Sequence, residues 1–127
     1  MARTRYFRDL LVWQKSMKLA RDVYQATNGF PQTERFGLTM QLRRAAVSVP
    51  SNIAEGHGRL SDKSLRVFLA QARGSLYEVE TQLQLAVDLN YLASAAAGSL
   101  NGQCDEVAMM INGLLSAIER TVDTSGR

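Results

Sequence analysis

The stretch LRRAAVSVPSNIAEGHG, residues 42–58, gathers the side chains most able to do chemistry. Ser48 and Ser51 offer hydroxyls, Asn52 an amide, Glu55 a carboxylate and His57 the one imidazole of the chain. A hydroxyl nucleophile needs a base within hydrogen-bond reach and donors for the developing oxyanion. If the stretch is one helix, Ser48 and His57 lie about 13 Å apart along its axis, at roughly 1.5 Å per residue. His57 also follows Gly56, which puts it in the exit loop. The spacing argues against catalysis.

Other chemistries lack their residues. Di-iron bundles need inward glutamates with Glu-x-x-His pairs, and zinc sites need several His or Cys ligands. One histidine and one cysteine, with no glutamate three residues before His57, supply neither. Magnesium in all-helical pyrophosphohydrolases needs paired carboxylates one turn apart. Glu34, Glu55, Glu78, Glu80, Glu106 and Glu119 form no such pair. Gly56-His57-Gly58 matches no phosphate-binding fingerprint. We therefore expect no enzyme, no cofactor and no metal. Cys104 reads as a small core hydrophobe.

Glycine and proline divide the 127 residues into four helical segments, at about 7–27, 33–55, 62–92 and 95–122. On the first, Leu10, Trp13, Met17, Ala20 and Tyr24 follow the three-four spacing of one helical face. Thr33 and Ser61 are N-cap candidates for the second and third. The third carries Leu65, Phe68, Leu69, Ala72, Leu76, Val79, Leu83 and Val87. The fourth carries Leu100, Cys104, Val107, Ile111, Leu114, Leu115 and Ile118. No segment alternates with period two. The expectation is a single all-α domain, an up-down-up-down four-helix bundle. The lack of an apolar run of about 18 residues or of a signal segment points to a cytoplasmic protein without a membrane span.

Two helices have more apolar surface than one core needs. Val12, Leu19 and Val23 lie away from the Trp13 face, and Val67, Leu85 and Leu89 lie opposite Leu65 and Leu83. Helices apolar on two sides are buried on two sides, which predicts a homo-oligomer unless one wide core absorbs both. Charge is split as well. Residues 1–73 hold 13 Lys+Arg against 5 Asp+Glu, and residues 74–127 hold 2 against 7. A basic half suits a polyanion or an acidic protein, or the acidic half of the same chain.

Gln41, Arg44, Ser48, Asn52 and Glu55 recur every three or four residues beside the apolar face of Leu38, Leu42, Ala45, Val49 and Ile53. Such a ladder borders the core, where polar groups must be bonded. It reads as a structural polar seam between helices or subunits, with Glu78 or Glu80 as partner for Arg44. The alternative is a ligand or nucleic-acid contact row. Pro50 deletes one helical bond, at a cost of about 3 kcal/mol, and marks a kink that nearby polar side chains can compensate.

The run LRRAAVSVPSNIAEGHGR after FPQTERFGLTMQ, with LVWQKSMKLARDVY and FLAQARGSLYEVETQLQLAVDLNYL, resembles the signature of bacterial four-helix bundle proteins. These include proteins encoded in intervening sequences of large-subunit ribosomal RNA genes, and the accessory variability protein of diversity-generating retroelements. The residues matching the signature are Gln41, Arg43, Arg44, Ser48, Pro50, Asn52, Glu55, Gly56, Gly74, Ser75 and Glu78. The resemblance spans about residues 7–92. It implies a ring-like homopentamer with a non-enzymatic role. In the retroelement branch it implies binding of a reverse transcriptase and of nucleic acid through basic surfaces.

The expected function is thus a non-enzymatic oligomer that binds RNA or DNA. Its candidate phosphate contacts are Arg3, Arg5 and Arg8, Arg59, Lys63 and Arg66, and the outward-pointing Arg43. Tyr6 and Phe7 are the only rings near them in sequence. The alternative is a scaffold that docks a protein partner without nucleic acid.

Overall fold

The computed structural model describes the backbone of residues 6–124 and the side chains of 6–120. Four helices follow a short 3-10 turn: α1 (Leu11–Thr27), α2 (Leu38–His57), α3 (Asp62–Asp88) and α4 (Ser94–Thr124). Consecutive helices pack side by side, α1 closes the square against α4, and the backbones of the diagonal pairs stay apart among the described residues. This is the expected up-down-up-down bundle. No strand occurs among the described residues, and no described helix is long and apolar enough to cross a membrane.

Local chemistry sets the boundaries, and it moves several from where the pattern puts them. The first segment does not run unbroken from residue 7. Phe7–Asp9 is a 3-10 turn, Leu10 is extended, and α1 starts at Leu11. Phe7 packs edge-on against Trp13, with ring centroids 5.2 Å apart.

The second helix starts at Leu38 rather than Thr33, and Gln32–Glu34 forms its own 3-10 turn. The cap is Glu34, whose Oε1 accepts from the Leu38 N–H at 3.0 Å. Gly37 permits this, because a Cβ there would stand 2.6 Å from that oxygen. Glu34 Oε2 also accepts from the Tyr91 hydroxyl at 3.0 Å. The two bonds, the backbone one first, hold its carboxyl below the usual range.

The third helix stops at Asp88, not near Leu92. Asn90 takes φ 63°, and the Tyr91 N–H reaches back to the Ala86 carbonyl at 2.9 Å. Together with the bond from Asn90 N–H to the Val87 carbonyl, this is a Schellman end, with asparagine in the left-handed position that glycine usually fills. At the other end of α3, Ser61 caps as expected, accepting from the Ser64 N–H at 3.1 Å.

The core combines Leu19, Val23, Leu42, Val49, Ile53, Leu69, Leu76, Leu83, Val107 and Ile111, all essentially inaccessible. Cys104 joins them, and burial, reinforced by the Glu80 and Asp105 carboxylates, pushes its thiol up to about 12. The expected core face of α1 is corrected. The buried stripe is Val12, Ser16, Leu19, Ala20, Val23 and Thr27, while Trp13 and Met17 are half-buried and Tyr24 is 44 % exposed. Both stripes have helical spacing. The one with short or branched side chains fits against the two adjacent helices, α2 and α4, and the bulky aromatic one lies outside. On α3 the second face is where the pattern puts it: Val67, Leu85 and Leu89 are exposed.

Candidate functional site: a polar seam and an arginine-rimmed groove

Two features meet on α2. The first is the seam against α3. Ser48 Oγ and Ser75 Oγ lie 2.8 Å apart, and Asn52 Nδ2 donates to Ser48 Oγ and to the Ser48 carbonyl, each at 2.9 Å. Small residues bring the backbones this close. A Cβ on Gly56 would stand 2.9 Å from Phe68 Cβ and 3.2 Å from Leu65 Cδ1. Ala45, Ala46 and Ala72 serve the same approach and are buried. α2–α3 is accordingly the most extensive helix pair.

Ser48, Asn52 and Glu55 do not converge on a substrate position. The Ser48 hydroxyl is engaged by Ser75 and Asn52, and Glu55 turns to Arg59, with oxygen and nitrogen 3.2 Å apart. His57 is the last residue of α2 rather than part of the exit loop. The remaining ladder positions are more open. Gln41 and Arg44 are exposed and share a shallow polar depression with Ser48, Ser75, Glu78 and Gln82. Arg44 lies beside Glu78 there, while ion pairs among the described residues include Lys15–Glu106, Lys18–Asp22 and Arg59–Glu55. Glu80 is no partner for Arg44. It faces α4, where burial, first, and a hydrogen bond to Asp105 raise its carboxyl. Pro50 sits inside an otherwise continuous α2 and is buried. The nearby polar bond, from Asn52, goes to Ser48 and not to the Ala46 carbonyl that proline leaves free.

The second feature is a groove along α1 and α2, which the sequence reading misses. One part, about 630 Å³, is lined by Phe7, Trp13, Met17, Tyr24, Val47 and Pro50 among others. Its continuation, about 550 Å³, adds Phe36, Met40 and the arginines 35, 43 and 44. Arg21 lines the first part, and no carboxylate lines either. The signal for this groove was the bulky stripe on α1, taken as core.

The basic candidates divide. Arg43 is no outward contact. Its Nε donates to Thr27 Oγ1 at 2.8 Å, and its terminal nitrogen to the Tyr24 carbonyl and to Asn28 Oδ1 at 3.2 and 3.0 Å. The guanidinium also stacks 4.5 Å from the Tyr24 ring. It ties the end of α1 to α2, using a cation where the helix dipole is negative. Arg8, Arg59, Lys63 and Arg66 are exposed, at the end of the bundle where α1 and α3 start and α2 stops. Arg3 and Arg5 lie outside the described residues. Rings are closer to the cations than the sequence suggests: Arg8 lies over Phe7 at 5.5 Å, Arg35 over Phe36 at 5.3 Å and Arg59 over Phe68 at 4.8 Å. Among the described residues no group of three metal-ligating side chains occurs.

The fold is matched elsewhere. The model of the 23S rRNA-intervening sequence protein family covers residues 8–113. The chain belongs to that family. A solved structure of a protein of unknown function from the S23 ribosomal protein family of Bacteroides thetaiotaomicron is similar, with a TM-score of 0.75 and 21% identity. The match covers 83% of this chain and 98% of that one. At that identity it speaks for the shared bundle. No curated protein matches. The stretch matched by the family model includes Ser48, Asn52, Gly56 and Ser75, which lie on the most extensive helix pair of the bundle.

Proposed function

We propose that this member of the intervening sequence protein family is a non-enzymatic oligomer that binds RNA or DNA through one end of its bundle. The observation that carries the reading is topological. Antiparallel helices bring Arg8, Arg59, Lys63 and Arg66 to one end. Long cationic side chains on a helix-end platform contact phosphates with little sequence preference. The family's description places its genes in a ribosomal RNA context, which favours RNA as the first ligand to try. The internal bonding of Ser48, Asn52 and Glu55 supports the non-enzymatic part.

Binding of labelled single-stranded RNA and DNA, measured by anisotropy across a salt series, tests the proposal. The logarithm of affinity should fall linearly with the logarithm of salt. Lys63→Ala and Arg66→Ala should each lower that slope by about 1. Absence of binding to either nucleic acid at low salt overturns the reading. It would favour the alternative, a scaffold that docks a protein partner, for which the apolar floor of the α1–α2 groove speaks. A reverse transcriptase, the partner implied by the retroelement branch, would be tested in that case by co-purification.

A further inference from the structure

The α1–α2 groove combines rings with arginines, and we propose that it is a track for single-stranded nucleic acid. Bases stack on its rings and phosphates meet its arginines. The inference rests on the nucleic-acid part of the proposed function, and it adds the form of strand bound and a second surface that binds it.

The groove runs the length of the bundle. Phe7 lies at the end where α1 starts, and Phe36 at the opposite end, just before α2. Trp13 and Tyr24 stand between them, roughly 16 Å apart along α1 at about 1.5 Å per residue. The groove thus holds the one tryptophan, two of the four phenylalanines and one of the four tyrosines of the chain. Tyr24 is 44 % exposed and Phe36 76 %. A ring as open as Phe36 loses little water contact on folding, so core packing does not account for it.

Charge completes the pattern. Arginines 21, 35, 43 and 44 border the groove and no carboxylate does. The neighbouring Asp22 turns away, to Lys18 and Gln103. The arginines divide by role. Arg43 is engaged by Thr27, Asn28 and the Tyr24 carbonyl, and it lies 4.5 Å from the Tyr24 ring, so it is a positioning residue for that ring. Arg21, Arg35 and Arg44 are exposed and can reach phosphates. Cation and ring recur together at both ends, Arg8 over Phe7 at one and Arg35 over Phe36 at the other. Arg8 also belongs to the platform of Arg59, Lys63 and Arg66, so the track ends there. An unpaired strand offers what this surface complements, a row of phosphates beside open base faces. A duplex hides those faces in its own stack. An acidic amphipathic helix is the rival occupant, since it would meet the arginines and cover the apolar floor. The interleaving of flat rings with cations favours the strand.

Trp13 is the one tryptophan of the chain, so its fluorescence reports on the groove alone. Oligouridylate is titrated as a single strand and annealed to oligoadenylate. The strand should quench Trp13 and bind roughly tenfold or more tightly than the duplex. Phe36→Ala should weaken strand binding roughly 5- to 150-fold, the loss of one stacked base, and leave the salt slope unchanged. Arg21→Ala and Arg35→Ala should each lower that slope by about 0.7, the single-strand value per phosphate. All three sites are exposed, and helical circular dichroism checks the fold of each variant. Three results overturn the proposal: a duplex bound as tightly as the strand, Trp13 fluorescence unmoved by bound strand, or wild-type affinity in Phe36→Ala. A Glu- and Leu-patterned helical peptide that quenches Trp13 where oligouridylate does not also overturns it, and gives the groove to a protein. Binding that survives Phe36→Ala but falls with Lys63→Ala and Arg66→Ala overturns the track and leaves the platform standing, so the two readings fail separately.

Discussion

The α2–α3 and α1–α4 interfaces close the same bundle by different means. Between α2 and α3, glycine, alanine and serine let the backbones approach, and the neutral polar groups Ser48, Asn52 and Ser75 satisfy one another. Between α1 and α4, long side chains reach across: Lys15 to Glu106 at 3.0 Å, and Gln103 Nε2 to Asp22 at 2.9 Å. Buried oxygens without a protein donor occur on both sides, Gln103 Oε1 on the α1–α4 side and Gln82 Oε1 beside α2 and α3. Close neutral bonding depends on shape and tolerates no added atom. Exposed ion pairs tolerate change and contribute at most about 1 kcal/mol each. Ser48, Asn52, Gly56 and Ser75 lie on the intolerant interface, where the Ser48 hydroxyl is already engaged within the bundle.

Substitutions can break this contrast. The largest effect is expected for Gly56→Val, which places side-chain atoms against Phe68 and Leu65. Overpacking of this kind costs about 1–3 kcal/mol, and the urea midpoint should fall accordingly. If Gly56→Val unfolds at the wild-type midpoint, α2–α3 is not the tight interface. Ser48→Ala leaves Ser75 and Asn52 short of a partner and should cost about 1–3 kcal/mol. The double variant with Ser75→Ala should cost less than the two singles together, a coupling that a double-mutant cycle reads directly.

Arg43→Ala removes the tie from α2 to the end of α1 and should cost about 1–2 kcal/mol. Arg43→Lys should not restore it, since an ammonium cannot serve Thr27, Asn28 and the Tyr24 carbonyl in one plane. Thermal melts of both variants decide this.

Glu80 sharpens the comparison on the α4 side. Its folded carboxyl is raised above the ordinary value, by burial and by the Asp105 hydrogen bond. The stability this proton supplies is complete below the ordinary glutamate pKa and is lost as pH rises through the raised one. Glu80→Gln should therefore raise Tm at neutral pH and leave it unchanged near pH 4; a lower Tm at neutral pH would refute the raised carboxyl. The smallest effect is expected for Lys15→Ala: below about 1 kcal/mol, and absent in high salt. A larger, salt-independent loss would mean that α1–α4 is held as tightly as α2–α3.

The helix count, the bundle and the bonding of Ser48 and Asn52 were legible because each rests on local spacing, whereas Gln41 and Arg44 are exposed and Glu55 turns to Arg59. Ser48 and Asn52, four apart on α2, must share an edge, and an edge beside Leu42 and Ile53 must be bonded. The core face of α1 was not legible. Two apolar stripes fit its period equally, and side-chain volume against α2 and α4 decided between them. Arg43 was misjudged for a related reason. Its outward angle on α2 is correct, but the end of α1 lies there. Helix ends were misplaced where the cap came from a distance: Glu34 for α2, and the Asn90 turn for α3.

The sequence by itself determined four amphipathic helices, their order, the motif of the family and the division of charge between the two halves of the chain. Periodicity and composition carry that information along one dimension. Only the tertiary structure decided which stripe of α1 is buried, that Arg43 is an internal tie, and that an arginine-rimmed groove runs along α1 and α2. Those depend on which helices become neighbours, and the fit of side-chain volumes settles that among four helices at once.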